Sequence, residues 1–384
     1  MPDTRPQHIV IAVTLAKPGG AQSFVFQYAS WLKQRGFQVT LLAGEGEWLL
    51  EQAEAAEIPC LRVPWMQREI NPWADVRAIL SLARLLRRLR PDVLHLNSSK
   101  MGVIGSIAGR LARVPRIIYC IGGWAFLEHI APWKKRFYAI AERLTASFKD
   151  VIICLHPGDK RAAEERGIQP RESIAVIPNG IDIQALDNTR LSRSEARQAL
   201  NIPPDCFTFG TIAHFYPAKN LPEYLEQAAP VLQMSPSSCI VLIGEGQERA
   251  KIESVIREHN LTHQVILTGS QEQAHRFLAA FDVFVLPSTK EGMPFSLLEA
   301  MVARLPCIVT DVGANAWVLE ETGSWIIPAC DASALQQAFQ QALSSRGPLV
   351  EIGQRNRTAA ETRFPLETTY EAQLAVLLGS FRKT

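Results

Sequence analysis

Residues 281–310, FDVFVLPSTKEGMPFSLLEAMVARLPCIVT, constrain the fold more than any other stretch of the chain. The short apolar run Phe281–Leu286 shows no apolar–polar alternation, so it reads as a strand covered on both faces, as in a parallel sheet. Pro287 and Ser288 stop it. Lys290-Glu291-Gly292-Met293-Pro294 follows as a turn punctuated by Gly and Pro. From Ser296 onward, Leu297, Leu298, Met301 and Val302 recur at helical spacing. Arg304 falls in the last turn, Pro306 breaks the helix, and Cys307–Thr310 is the next strand.

Two carboxylates flank this loop: Glu291 at the C-terminal end of the strand and Glu299 in the expected first helical turn. The loop amides and the positive end of the helix face the same space, which suits an anion bordered by acceptors for hydroxyl groups. A sugar nucleotide offers that combination, a diphosphate with sugar hydroxyls on both sides. Taken singly, Glu299 reads as a complement to the helix dipole and Glu291 as a solvated loop charge. As a pair around Gly-Met-Pro-Phe after a buried strand, they read as a site.

The same residues resemble the signature of the retaining glycosyltransferases of family four, a Glu, seven residues and a second Glu in a phrase similar to E-G-x-P-x-x-x-x-E-A-M-A. Here it runs from Glu291-Gly292-Met293-Pro294 to Glu299-Ala300-Met301-Val302. The resemblance implies that Glu291 contacts donor-sugar hydroxyls, that Glu299 holds the ribose, and that the loop Gly292, Met293, Pro294 and Phe295 meets the sugar and diphosphate through its backbone.

The chain of 384 residues is long for one core and comfortable for two. Its seven cysteines are scattered without a C-x-x-C pair, which favours core thiols in a reducing compartment over disulfides or zinc. The start is short and polar, so no secretory signal is expected, and no window approaches the roughly 18 apolar residues of a membrane-spanning helix. Residues 1–183 hold 24 Lys and Arg against 17 Asp and Glu, whereas the remainder holds 16 against 21. A basic half beside an acidic half suggests an anionic partner for the first.

Strands and helices alternate from the start. His8–Thr14 is a buried strand, Lys17–Gln22 a turn through Gly19 and Gly20, and Ser23–Gln34 a helix, an opening that resembles a Rossmann-like unit. Gly19-Gly20 serves any tight strand–helix turn; in family four this loop touches donor and acceptor. Further on, Pro91–Leu96 runs into Asn97-Ser98-Ser99-Lys100, and Arg116–Cys120 into Ile121-Gly122-Gly123-Trp124-Ala125-Phe126. His95 and Lys100 read equally as a satisfied strand-end histidine and a solvated lysine. Both phrases resemble the acceptor-side domain of the family, which adds His95, Ser98, Lys100, Gly122 and Trp124 as acceptor-side candidates. Asn97 stands where a second His is often seen, and Gly122 where family members place a His beside the reaction centre.

Pro132–Asp150 sets Phe137, Tyr138, Ile140, Ala141, Leu144 and Phe148 at helical spacing behind the basic cluster Lys134-Lys135-Arg136. It reads as a packed amphipathic helix with a basic edge or, second, as a face that meets anionic lipid with Trp133 as an anchor. Pro178-Asn179-Gly180-Ile181-Asp182 is a turn and resembles the passage between the family's two domains.

The pattern then restarts. Phe207–Ala213 is a strand followed by His214–Asn220, and Cys239–Ile243 ends in Gly244-Glu245-Gly246. Lys219 resembles the lysine of the family's G-R-L-x-x-x-K-N phrase, which grips the diphosphate; His214 stands at the Arg position of that phrase and joins the donor-binding candidates. No D-x-D occurs, so a metal-dependent diphosphate clamp is not expected, and the resemblance implies no cofactor beyond the donor substrate. No solenoid repeat or nucleic-acid motif appears.

The expected architecture is therefore α/β and of the GT-B kind, two Rossmann-like domains with parallel sheets facing a central cleft. Residues 1–185 form the acceptor-side domain, 186–363 the nucleotide-sugar domain, and 364–384 a C-terminal amphipathic helix returning to the first. The expected activity is transfer of a sugar, with retention, from a nucleoside diphosphate sugar to an acceptor hydroxyl, in bacterial surface polysaccharide or glycolipid assembly. Glu291 and Lys219 are the catalytic candidates. The partners are a nucleoside diphosphate sugar, a lipid-linked or glycan acceptor and an anionic membrane surface, with no nucleic acid, and the location is cytoplasmic or peripheral on the inner face of the cell membrane. A GT-B epimerase or hydrolase, or a non-catalytic sugar-nucleotide-binding protein, would use the same pocket.

Overall fold

The computed structural model describes residues 8–379 except Arg68, His129 and Ser345. Their contacts divide into two compact units. One comprises the residues through Pro178 together with those from Thr369 on; the other is Asn179–Thr368.

The first unit contains β1 (His8–Val13), α1 (Gly20–Gln34), β2 (Gln38–Ala43), α2 (Trp48–Ala55), β3 (Cys60–Arg62), α3 (Pro72–Leu89) and β4 (Val93–Asn97). It continues with α4 (Ser99–Leu111), β5 (Arg116–Cys120), α5 (Pro132–Ala146), β6 (Val151–Cys154), α6 (Pro157–Glu165) and β7 (Ser173–Val176). The seven strands are parallel in the order β3-β2-β1-β4-β5-β6-β7. Central strands such as IVIAV and VIIC are buried along their length, as a sheet with helices on both faces requires.

The second unit opens with α7 (Ile183–Thr189) and α8 (Arg193–Ala199), then β8 (Phe207–Ile212), α9 (Leu221–Met234), β9 (Ser238–Ile243), α10 (Arg249–Glu258), β10 (Val265–Gly269), β11 (Val283–Leu286) and α11 (Phe295–Val302). It ends with β12 (Cys307–Thr310), α12 (Asn315–Val318), β13 (Trp325–Ile327), α13 (Ala332–Ser344), α14 (Arg346–Arg363) and the start of α15 (Leu366–Leu377). Its six strands are parallel in the order β10-β9-β8-β11-β12-β13. Asp182 caps α7 through Ala185 N, and Ser192 with Glu195 forms a capping box on α8.

Each sheet reverses its strand order once, between β1 and β4 in the first and between β8 and β11 in the second. Open α/β sheets bind ligands outside the carboxyl ends of their strands at such a reversal. Four loops are thereby singled out, those after β1, β4, β8 and β11.

The tail helix α15 buries Tyr370 against Phe24, Tyr28 and Trp31 of α1, with ring centroids 5.1–5.9 Å apart. The expected tail helix spans 364–384, and residues 380–384 lie outside the described residues. All seven cysteines are free thiols; four are buried and Cys330 is exposed.

Helix α5 corrects the packed-helix expectation. Its inward side mixes Tyr138, Ala139 and Ala146 with polar groups: Lys149 Nζ, just beyond the helix, donates to Glu142 Oε2 at 2.6 Å, Tyr119 Oη donates to Glu142 Oε1 at 3.3 Å, and Lys149, Glu142 and Tyr119 are buried. With that ion pair turned into the core, the apolar residues are left outside. Trp133 is 68% and Leu144 69% exposed, and Phe137, Ile140 and Phe148 are also exposed. Tyr138 alone of the group's aromatics packs inward.

Candidate functional site

In the second unit, the loops after β8 and β11 bring Lys219 and Glu291 together. Lys219 closes a single 3₁₀ turn, Pro217–Lys219, and its Nζ lies 2.6 Å from Glu291 Oε1. The pair is partly exposed on the lysine side and nearly buried on the carboxylate side. Thr289 N donates to Ala218 O at 2.9 Å and ties the two loops together. Among the described residues, Lys219 and Ser288 both bond Glu291 through Oε1, so Oε2 is the oxygen placed to meet a ligand. A cation and a carboxylate held side by side at the reversal can take a diphosphate and a sugar hydroxyl at once.

The loop from Gly292 to Phe295 is fixed from beneath. Ala314 N donates to Gly292 O at 2.8 Å, and Gly313 has φ of +57°. A Cβ on Gly313 would stand 2.3 Å from Glu291 O and 2.6 Å from Gly292 O, so only glycine lets that backbone approach. Asn179 Nδ2 donates to Met293 O at 2.9 Å. Pro294, the N-cap of α11, has no N–H, so the backbone donors of this loop are those of its neighbours.

Glu299 is the fifth residue of α11, because the helix begins at Phe295; the expected first-turn position is corrected to the second turn. It borders a small cavity with Leu186, Asp187, Arg190, His275, Leu278 and Val302. Burial raises its carboxyl to about 7. Arg190, the C-cap of α7, and His275, in the 3₁₀ segment Ala274–Ala280 before β11, carry no sequence signal that marks them as neighbours of Glu299.

His214 follows β8 and stacks on Tyr216, with ring centroids 5.5 Å apart and planes at 28°. Its imidazole is pushed below the ordinary histidine value by partial burial first and by the Lys219 charge second. Gly244, after β9, has φ of +149° and lies so close to Ala213 O that a Cβ would clash. That contact seats the loops after β8 and β9 against each other.

In the first unit the reversal is bridged by Thr14 and Ser98, whose hydroxyl oxygens are 2.6 Å apart. Ser98 adopts φ of +78°, a strained value for a residue with a side chain, at the very loop the topology selects. Gly19 has an extended φ of 170° and Gly20 is the first residue of α1. Lys100 is not merely solvated: its Nζ pairs with Asp75 Oδ1 at 2.6 Å and also donates to the Glu69 carbonyl. His95 is fully buried beside Tyr28, and burial lowers its imidazole to about 4. Trp124 is a core residue that stacks on Phe126 and donates from Nε1 to Asp159 O at 2.9 Å. At Gly122 an added Cβ would meet nothing within 4 Å. Among the described residues no three His, Cys, Asp or Glu side chains converge as a metal-ligand set.

Comparison with known proteins places two family domains along the chain. Residues 19–180 match the family model of the glycosyl transferase 4-like domain, and residues 192–360 that of glycosyl transferases group 1. The chain is 31% identical over 326 residues, 83% of its length and 84% of the relative's, to the UDP-Gal:alpha-D-GlcNAc-diphosphoundecaprenol alpha-1,3-galactosyltransferase of Escherichia coli. It is 23% identical to the capsular polysaccharide biosynthesis glycosyltransferase CapM of Staphylococcus aureus, over 92% of each chain. Among solved structures, HepE of Anabaena in complex with UDP and glucose shares the fold with a TM-score of 0.80 at 21% identity, covering 97% of this chain and 99% of that one.

Fold and matched domains define a glycosyltransferase of GT-B architecture. The chain belongs to the glycosyltransferase family that joins a 4-like domain to a group 1 domain.

Proposed function

We propose that this glycosyltransferase moves a sugar, with retention at the anomeric carbon, from a nucleoside diphosphate sugar to a hydroxyl of a lipid-linked glycan during assembly of bacterial surface polysaccharide. The observation that carries the reading is the Lys219–Glu291 pair at the β8–β11 reversal. As the bond between sugar and diphosphate breaks, negative charge grows on the leaving phosphate. Lys219 and the amino end of α11 balance it. Glu291 Oε2 orients the sugar, and Glu299 accepts hydrogen bonds from the ribose. The leaving phosphate takes the acceptor proton on the same face, so no protein base is required and the open space at Gly122 does not hinder the reaction. No divalent metal is needed in this scheme.

The lipid-linked acceptor is supported by the E. coli relative, whose name specifies an undecaprenol-linked diphosphate acceptor. It is also supported by the outer face of α5, where Trp133, Phe137, Ile140 and Leu144 are exposed beside Lys134-Lys135-Arg136. A second apolar face lies at the start of α3, where Trp73 is 81% exposed and Val76 and Leu80 accompany it. Among the described residues no helix is long and apolar enough to cross a membrane. The reading is therefore a peripheral enzyme on the anionic inner face of the cell membrane.

The test is turnover against a panel of nucleoside diphosphate sugars, UDP-galactose included, with a short-chain prenyl-diphosphate GlcNAc acceptor and mass detection of products. A glycosylated acceptor with the donor's anomeric configuration is expected. Free sugar or an epimerised donor without a glycosylated acceptor would overturn the reading.

A further inference from the structure

Ser288, immediately after β11, is fully buried and donates to Glu291 Oε1 at 2.6 Å, the same oxygen that Lys219 reaches. Its backbone is anchored by a second buried layer. Thr310 Oγ1, at the end of β12, donates to Ser288 O at 2.5 Å and to Leu286 O at 3.3 Å. Asn315 Nδ2, from the start of α12, donates to Thr310 O at 3.0 Å. Thr310 and Asn315 are themselves buried. A chain of polar contacts thus runs from α12 through β12 and ends on the carboxylate.

Two donors on one oxygen matter when a third party competes for one of them. A diphosphate draws the Lys219 ammonium toward itself, and any loss of that contact would leave a nearly buried carboxylate short of a partner. Uncompensated buried charge is costly and tends to move or to find another donor. The Ser288 hydroxyl has no such competitor, because it is buried on the protein side of Glu291.

We propose that Ser288 is a positioning residue, holding Glu291 in place with Oε2 presented to the donor sugar while Lys219 shifts its hydrogen bonds to the leaving diphosphate. The proposal rests on the reading of Glu291 and Lys219 as donor contacts. It predicts a larger effect on turnover than on nucleoside diphosphate affinity, since Glu291 presents Oε2 to the donor sugar, which a nucleoside diphosphate lacks.

The test compares wild type, Ser288→Ala, Ser288→Thr and Glu291→Gln. It uses whichever donor of the panel the wild type consumes, with calorimetry of the matching nucleoside diphosphate and thermal unfolding. Ser288→Ala should lower kcat by about ten- to a hundredfold, as for loss of a hydrogen bond to a charged group. Its nucleoside diphosphate Kd should change far less than kcat and its Tm should fall only modestly, while Ser288→Thr, which keeps the hydroxyl, should recover most of kcat. Wild-type kcat in Ser288→Ala alongside a large loss in Glu291→Gln would overturn the role of Ser288 and leave that of Glu291 standing. Parallel losses of kcat, affinity and Tm in Ser288→Ala would reduce Ser288 to a structural residue and overturn it likewise. Wild-type turnover in Glu291→Gln would instead overturn the underlying reading of the site.

Discussion

Thr14 and Ser98 join their hydroxyls at 2.6 Å across the β1–β4 reversal, as Lys219 and Glu291 join their charges at 2.6 Å across the β8–β11 reversal. Each sheet is thus pinned where its strand order turns, by a neutral pair in one unit and an ion pair in the other. The neutral pair links the two loops beside the strained backbone of Ser98. Thr14→Val keeps the shape of the side chain and removes the bond, so it should destabilise the chain by about 1 kcal/mol. Chemical denaturation of the two proteins measures this; an unchanged midpoint and slope would show the pair to be idle.

Glu299 contributes one part of the pH dependence, opposed by the buried imidazole of His95. The folded value of Glu299, about 7, lies above the ordinary carboxyl value of 4.5, so burial favours the neutral form. That contribution to stability is fully present below about pH 4.5 and is lost as pH rises through about 7. Glu299→Gln, neutral throughout, should gain stability relative to wild type between pH 5 and pH 8, by about 1–3 kcal/mol. In the proposed role, ribose hydroxyls donate more strongly to the ionised carboxylate than to the neutral acid. Nucleoside diphosphate affinity of wild type should therefore rise more steeply across the same interval than that of Glu299→Ala, which should be weaker by roughly 1–3 kcal/mol at pH 8. Calorimetry at pH 6 and pH 8 separates the two behaviours.

Much of this site was legible because its key residues sit in short linear phrases. Glu291-Gly292-Met293-Pro294 and Lys219-Asn220 each lie in one loop, and topology brings the loops together after the fact. Ser288 and Thr310 were not legible as partners. Their contact depends on β12 lying beside β11, and no feature of either residue's own neighbourhood announces it. Helix α5 shows a different limit. Periodicity identifies which side chains share a face, but the inward face is decided by the Glu142–Lys149 pair, whose lysine lies past the helix end. The start of α11 was missed by one residue, enough to move Glu299 from the first turn to the second.

Metal independence follows from the cationic role given to Lys219 and the amino end of α11. Turnover should survive EDTA within about twofold of the untreated rate, a difference small against one lost charged contact. Complete loss in EDTA with recovery on adding magnesium or manganese would show that the diphosphate is held through a metal.

The inverted face of α5 should bind acidic membranes weakly and reversibly, since each basic residue near such a surface adds about 1 kcal/mol. Wild type should float with anionic vesicles at low salt and lose most of that binding as salt screens the surface. The triple Lys134/Lys135/Arg136→Ser variant should float less at low salt. Equal recovery with neutral and acidic vesicles would favour a soluble acceptor.

The central claim, that Lys219 is the cation for a departing diphosphate, is tested most directly by turnover of the preferred donor in Lys219→Ala. Ser288 still supports Glu291 in that variant, so the loop should keep its place. Turnover should fall by about 10²–10³, the scale of losing one preorganised contact to developing charge, with Tm close to wild type. A folded Lys219→Ala enzyme that transfers sugar at the wild-type rate would contradict the account.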